Sequence, residues 1–184
     1  ADAAYPVTID PLSTTASTTL TGPSANASFG CSVAGAGDVN GDGYGDVVVG
    51  AYGLAANAGA AYIYMGSATG LSTSPARILT GPANSYFGSS VASGDVNGDN
   101  RSDVIVGAYR YAGNAGAAYI YHGTSTGLNT TPAVILTGSA GSMLGISVAA
   151  IDLNADAFGD VIVGASNFNA GTGRATVYLG KPRG

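Results

Sequence analysis

Short apolar runs recur along this chain, each set off by glycine, asparagine, serine and threonine. The densest are DVVVG at 46–50 and DVIVG at 103–107 and 160–164. Their unbroken valine and isoleucine predict strands buried on both faces. A second run follows each: AYIYM at 61–65, AYIYH at 118–122 and ATVYL at 175–179. A further strand is expected before each set, after the Phe-Gly or Leu-Gly at Phe29, Phe87 and Leu144. Another is expected at 77–80 and 134–137, beyond the turn sequences GSATGLSTSP and GTSTGLNTTP.

These runs are copies of one unit. Asp38, Asp95 and Asp152 stand 57 residues apart, and the same step links Gly50, Gly107 and Gly164. The text between anchors recurs as DVNGDGYGDVVVGAY, DVNGDNRSDVIVGAY and DLNADAFGDVIVGAS. Four strands per repeat is the pattern of a β-propeller blade. The expected fold is therefore all-β. One propeller region spans 1–184, divided into an N-terminal strand-four segment at 1–28 and repeats at 29–86, 87–143 and 144–184.

The N-terminal segment carries a strand four of its own. PLSTTASTTLTGP at 11–23 matches GLSTSPARILTGP at 70–82, which places a strand at 17–21. The third repeat reads only as far as its strand three. Its missing strand and the N-terminal one are complementary halves of a blade. Propellers have 4–8 blades, so two copies joined head to tail are expected to close a six-bladed homodimer. The alternative is a piece of a longer seven-bladed protein.

Between strands one and two of each copy lies D-x-N-x-D-x-x-x-D. The three sets are Asp38, Asn40, Asp42 and Asp46; Asp95, Asn97, Asp99 and Asp103; and Asp152, Asn154, Asp156 and Asp160. Nine of the 11 acidic residues fall in these loops. Like charges so crowded repel one another and call for a cation. Calcium prefers six to eight hard oxygens, and alternate residues of a tight loop supply them. The backbone carbonyls of Tyr44, Arg101 and Phe158 would add the seventh-position ligand, giving about three calcium ions per chain. An EF-hand would need Glu at position 12 and flanking helices. Val49, Val106 and Val163 stand there instead. The third loop has Ala157 where Gly43 and Asn100 stand, and a left-handed turn costs alanine about 1 kcal/mol, so this loop is expected to bind more weakly.

FGCSVAGAGDVNGDGYGDVVVGAY and its later copies resemble the FG-GAP repeat of integrin α-subunit propellers over nearly the whole chain. That resemblance implies calcium in these loops and a secreted, extracellular or cell-surface setting. Two departures stand out. Tyr52, Tyr109 and Ser166 replace the family's usual proline after Gly-Ala, and there are three repeats rather than the seven of a full ring.

Function is sought on the face opposite the calcium loops. Strand order puts Tyr52, Asn57, Tyr109, Tyr111, Asn114 and Phe168 there, and aromatic with amide groups suits a protein or glycan ligand. The same residues would equally serve as packing between blades. The functional expectation is a calcium-binding adhesion or ligand-binding module. A purely structural assembly unit, or a non-catalytic part of a larger secreted protein, is the alternative. An enzyme is not expected: glutamate is absent, no Gly-x-Ser-x-Gly elbow occurs, and the lone histidine, His122, stands on a strand where the other copies have Met65 and Leu179. A net charge of −5 without a basic cluster argues against nucleic acid. No apolar run approaches the ~20 residues that span a bilayer. The single cysteine, Cys31, reads as a small buried core residue, its counterparts being Ser89 and Ile146.

Overall fold

A computed structural model describes residues 15–182. Thirteen strands are assigned among them. Blade one is the antiparallel sheet β1 (Phe29–Gly37), β2 (Asp46–Ala51), β3 (Ala60–Tyr64) and β4 (Arg77–Thr80), in sequence order. Blade two repeats it with β5 (Ser90–Gly94), β6 (Asp103–Ala108), β7 (Ala117–Tyr121) and β10 (Val134–Thr137). Blade three has β11 (Leu144–Ile151), β12 (Asp160–Ala165) and β13 (Arg174–Tyr178), with no fourth strand among the described residues. The register is common to all: Val49 faces Tyr62, Val106 faces Tyr119, and Val163 faces Thr176.

The central strands are buried on both faces, as the apolar runs predicted; all six residues of β6 are buried. Alternation assigns each face to a different neighbour. Val104, Val106, Tyr119 and Tyr121 join Val48, Ala61, Ile63 and Leu79 of blade one in a single core. Ile105, Ala118 and Ile120 form a second core with Leu144, Val161 and Val163 of blade three. Phe87 meets Tyr119 edge-on at 5.3 Å, and Phe29 meets Tyr62 at 5.4 Å on the other side of blade one. The conserved geometry of these pairs is what the Phe-Gly marks in the sequence encode.

Several details differ from expectation. Each third strand begins one residue earlier than its apolar run, because Ala60, Ala117 and Arg174 pair with the last residue of strand two. A small hairpin, β8 (Gly123–Thr124) with β9 (Gly127–Leu128), forms inside the turn sequence of repeat two. Between strands two and three lie short helical turns, Leu54–Asn57, Tyr111–Asn114 and Phe168–Gly171, each passing through three residues of positive φ. Residues 17–21, expected to be a strand, form none: no strand three pairs with them in the structure. Leu20 nonetheless packs on blade one's outer core with Phe29 and Tyr62. Cys31 is exposed on β1 rather than buried in the core. Its thiol contacts the Gly88 carbonyl at 3.4 Å, and burial of the sulfur still pushes its pKa up.

Candidate metal loops and ligand face

The Asp-rich sequences all connect strand one to strand two, and each folds on its own carboxylates. Asp38 accepts the amides of Gly41 at 2.6 Å, Asp42 at 3.1 Å and Gly43 at 2.7 Å. Asn40 Oδ1 accepts the Asp42 amide, and Asp42 Oδ1 accepts that of Tyr44. In the second loop Asp95 takes the amides of Gly98, Asp99 and Asn100, while Asn97 and Asp99 repeat the other two bonds. In the third, Asp152 takes only two, from Asp156 and Ala157, with Asn154 and Asp156 in the same roles. The turns require left-handed residues at two points. Loop one uses Gly41 and Gly43, and loop two uses Gly98 and Asn100. Loop three forces Ala155 and Ala157 to φ of 61° and 69°.

The ninth-position aspartates close each loop onto the blade. Asp46 Oδ2 accepts the Val39 amide and Oδ1 that of Gly66, each at 2.9 Å. Asp103 does the same with Val96 and Gly123, and Asp160 with Leu153 and Gly180. All three are buried. Burial raises the pKa of Asp46 against the pull of the Gly66 and Val39 amides, and the charges of Asp42 and Asp38 add to the rise. Burial likewise raises Asp103, partly offset by the Gly123 amide and His122. At Asp38 desolvation pulls upward too, but the amides of Gly43, Gly41 and Asp42 outweigh it and hold the carboxyl below the usual aspartate value.

Among the described residues, no three acidic or histidine side chains converge as a ready-made metal cluster. The donor chemistry is nevertheless that of a hard cation: three carboxylates and one amide oxygen per loop, with the seventh-position residues Tyr44, Arg101 and Phe158 beside them. An oxygen that accepts one amide keeps a second lone pair. Loop two departs from its neighbours. Asn40 and Asn154 donate to Asp42 and Asp156 at 2.8 Å, whereas Asn97 turns inward, 7% exposed, with its amide nitrogen 2.8 Å from His122 Nδ1. His122 Nδ1 also lies 3.1 Å from Asp103 Oδ2. Sequence reasoning gave that histidine no role. Its position beside the Asp-rich loop is visible only once β7 brings it back there.

At the other end of the strands, three tyrosines form a row. The Tyr52 ring stacks on Tyr86 at 5.5 Å, and Tyr86 meets Tyr109 at 5.4 Å. Arg110 sits 4.8 Å above the Tyr86 ring, with Nη1 3.4 Å from its hydroxyl. Tyr86 comes from the connection into blade two, where the other repeats carry Ser28 and Met143. That substitution was the signal available in the sequence. The remaining candidates are placed differently. Tyr111 lies edge-on to Tyr119 against the inter-blade core, and Phe168 packs on the next core beneath Arg174 at 4.0 Å. Asn57 and Asn114 adopt left-handed φ, and their carbonyls accept the amides of Tyr86 and Met143, each at 2.9 Å.

The repeated loops and blades agree with the protein comparisons. The FG-GAP repeat matches at residues 29–64, 87–121 and 144–178. The chain belongs to the FG-GAP repeat family. Chicken (Gallus gallus) integrin alpha-6 is 42% identical over 149 residues, covering 75% of this chain and 13% of that protein. Integrin alpha-3 of Cricetulus griseus is 37% identical over 158 residues, covering 79% and 15%. Gallus gallus integrin alpha-8 is 35% identical over 181 residues, covering 89% and 17%. These FG-GAP repeats thus span about one-seventh of the length of the relatives they match. With family membership goes the extracellular or cell-surface setting that the resemblance implied. Among the described residues no helix is long and apolar enough to cross a membrane.

Proposed function

We propose that this chain is a calcium-stabilised, ligand-binding segment of an extracellular FG-GAP propeller, a binding module rather than an enzyme. The observation that carries the ligand reading is the row Tyr52–Tyr86–Tyr109 under Arg110, at the end of the blades away from the Asp loops. Aromatic faces with a cation at their edge suit a sugar ring or a protein side chain. Division of labour follows: the Asp loops hold one end of each blade rigid, and the aromatic end is free to contact a partner.

Calcium would be held by the three loop sets, one ion each. Its contribution would be to screen the carboxylates and fix the hairpins, and no chemical step is assigned to it. The domain scheme of one N-terminal segment and three repeats goes with this reading. So does assembly of two copies into a six-bladed ring, supported by the outward hydrophobics of blade three, where Val177 is 48% and Leu179 63% exposed.

A glycan and extracellular-protein array probed with calcium-loaded protein tests the ligand reading. Binding that Tyr52→Ala and Tyr109→Ala abolish, with the melting temperature kept, is the expected result. A blank array, or binding indifferent to both substitutions, would overturn it.

A further inference from the structure

The two ends of the blades carry opposite charge. All nine aspartates among the described residues lie in the strand one–two loops. At the other end stand two arginines, with no acidic residue among those described. Arg110 follows β6, and Arg174 opens β13 opposite Ala165, the last residue of β12. A six-residue strand such as β6 separates the ends by about 20 Å, at about 3.3 Å per residue. That exceeds the screening length of about 8 Å at physiological salt, so the Asp loops do not repel an anion at the arginine end.

Arg110 is exposed and forms no ion pair among the described residues. Its guanidinium lies over the Tyr86 ring with only the Tyr86 hydroxyl near Nη1, so most of its N–H donors face no protein acceptor. The backbone sets this pair in place. The Arg110 amide donates to the Ser85 carbonyl at 3.2 Å, and Tyr86 stands at a φ of 55°, a left-handed conformation costly for tyrosine. Tyr109 shares the neighbourhood: burial raises its hydroxyl pKa, the charge of Arg110 opposes the rise, and Tyr86 and Tyr52 add to it. The arrangement is particular to one blade boundary. Gly53 and Asn167 stand 57 residues to either side of Arg110, and at the next boundary Met143 and Ser166 replace Tyr86 and Tyr109. Blades two and three join without such a row, so blade packing does not require it.

The rings are largely engaged with one another, which leaves little for a sugar to stack on. Tyr86 is stacked by Tyr52 at an interplanar angle of 18°, tilted against Tyr109 and covered by Arg110. A lone guanidinium with no basic cluster around it also matches one carboxylate better than the polyanionic strand of a sulfated glycan. We propose that Arg110 and the tyrosine row bind an aspartate or glutamate side chain of a protein partner. The guanidinium takes the carboxylate through two N–H donors, and the rings pack against its aliphatic stem.

This rests on the ligand reading above, and the test separates the two. The full chain, loaded with calcium, is screened against two random peptide libraries free of acidic residues except at a fixed central position. That position is Asp or Glu in one library and Asn or Gln in the other, and hits are measured by fluorescence polarisation. The expected hits come from the acidic library. They weaken roughly tenfold or more with Arg110→Gln and several-fold with Arg110→Lys, at an unchanged melting temperature. An equal loss with Arg174→Gln would mean general attraction to the arginine end and overturn the site. Hits from both libraries alike that ignore Arg110→Gln but are lost with Tyr52→Ala would overturn the carboxylate assignment and leave the ligand reading standing. Sialylated glycans bound on an array in place of any peptide, and lost with Arg110→Gln, would overturn the protein partner. Binding in no arm overturns both.

Discussion

The side-chain amide of Asn97 lies 2.8 Å from His122 Nδ1, whereas its counterparts Asn40 and Asn154 donate to the central aspartate of their own loops. Loop two is therefore tied to the residue that follows β7 by a contact the other repeats lack. With Met65 or Leu179 in the equivalent position, no such partner exists, and the asparagine stays within the loop.

It follows that His122→Met should free Asn97 to join Asp99 as Asn40 joins Asp42. One redirected hydrogen bond is worth about 0.5–1.5 kcal/mol. Calcium affinity of the second loop should rise roughly two- to tenfold, read by titration calorimetry on the single variant against the parent. Unchanged binding would mean that the histidine contact is neutral to the metal loop.

Chelation should lower the melting temperature, and calcium should restore it more fully than magnesium, whose small octahedral shell fits such a loop poorly. Asp42→Ala and Asp99→Ala should each cost more calcium-dependent stability than Asp156→Ala. The third loop is expected to start weaker, since Asp152 accepts two amides where Asp38 accepts three. Calorimetric scans with and without chelator measure the difference directly.

Ala155→Gly and Ala157→Gly test the origin of that weakness. A left-handed alanine costs about 1–2 kcal/mol, and the added freedom of glycine in the unfolded chain returns about 0.5–1 kcal/mol of it. Each substitution should therefore stabilise the third loop by roughly 0.5–1 kcal/mol. Gly43→Ala in loop one, where φ is 89°, should destabilise by a similar amount. Denaturant titration resolves changes of this size.

The stabilisation that calcium confers should depend on pH. Asp46 has a folded pKa raised above its ordinary 3.8, so its protonation favours the metal-free fold. That contribution is full below the ordinary value and is lost as pH rises through the folded one. Asp38, lowered from the same value, acts oppositely: its contribution is present above 3.8 and lost as pH falls through its folded value. Calcium requires the carboxylates ionised. The calcium-induced rise in melting temperature should therefore shrink as pH is brought from 7 toward 4, and a constant increment would contradict the ligand assignment.

The order and kind of the blade strands were determined by local sequence. Valine and isoleucine in unbroken runs have no stable place except between two apolar faces, and a 57-residue step leaves little choice of architecture. The Asp loops were legible for the same reason: their turns close within nine residues, so spacing alone fixes which residues share a loop. Tertiary structure decided what lies between repeats. Tyr86 joins Tyr52 and Tyr109 across a blade boundary, His122 reaches Asn97 from 25 residues away, and Tyr111 turns onto Tyr119 rather than outward. Residues 17–21 have the composition of a strand yet form none, because a strand exists only when a neighbour supplies its hydrogen bonds. Contacts within one repeat are written in its own residues; those between repeats depend on how the faces of successive blades pack.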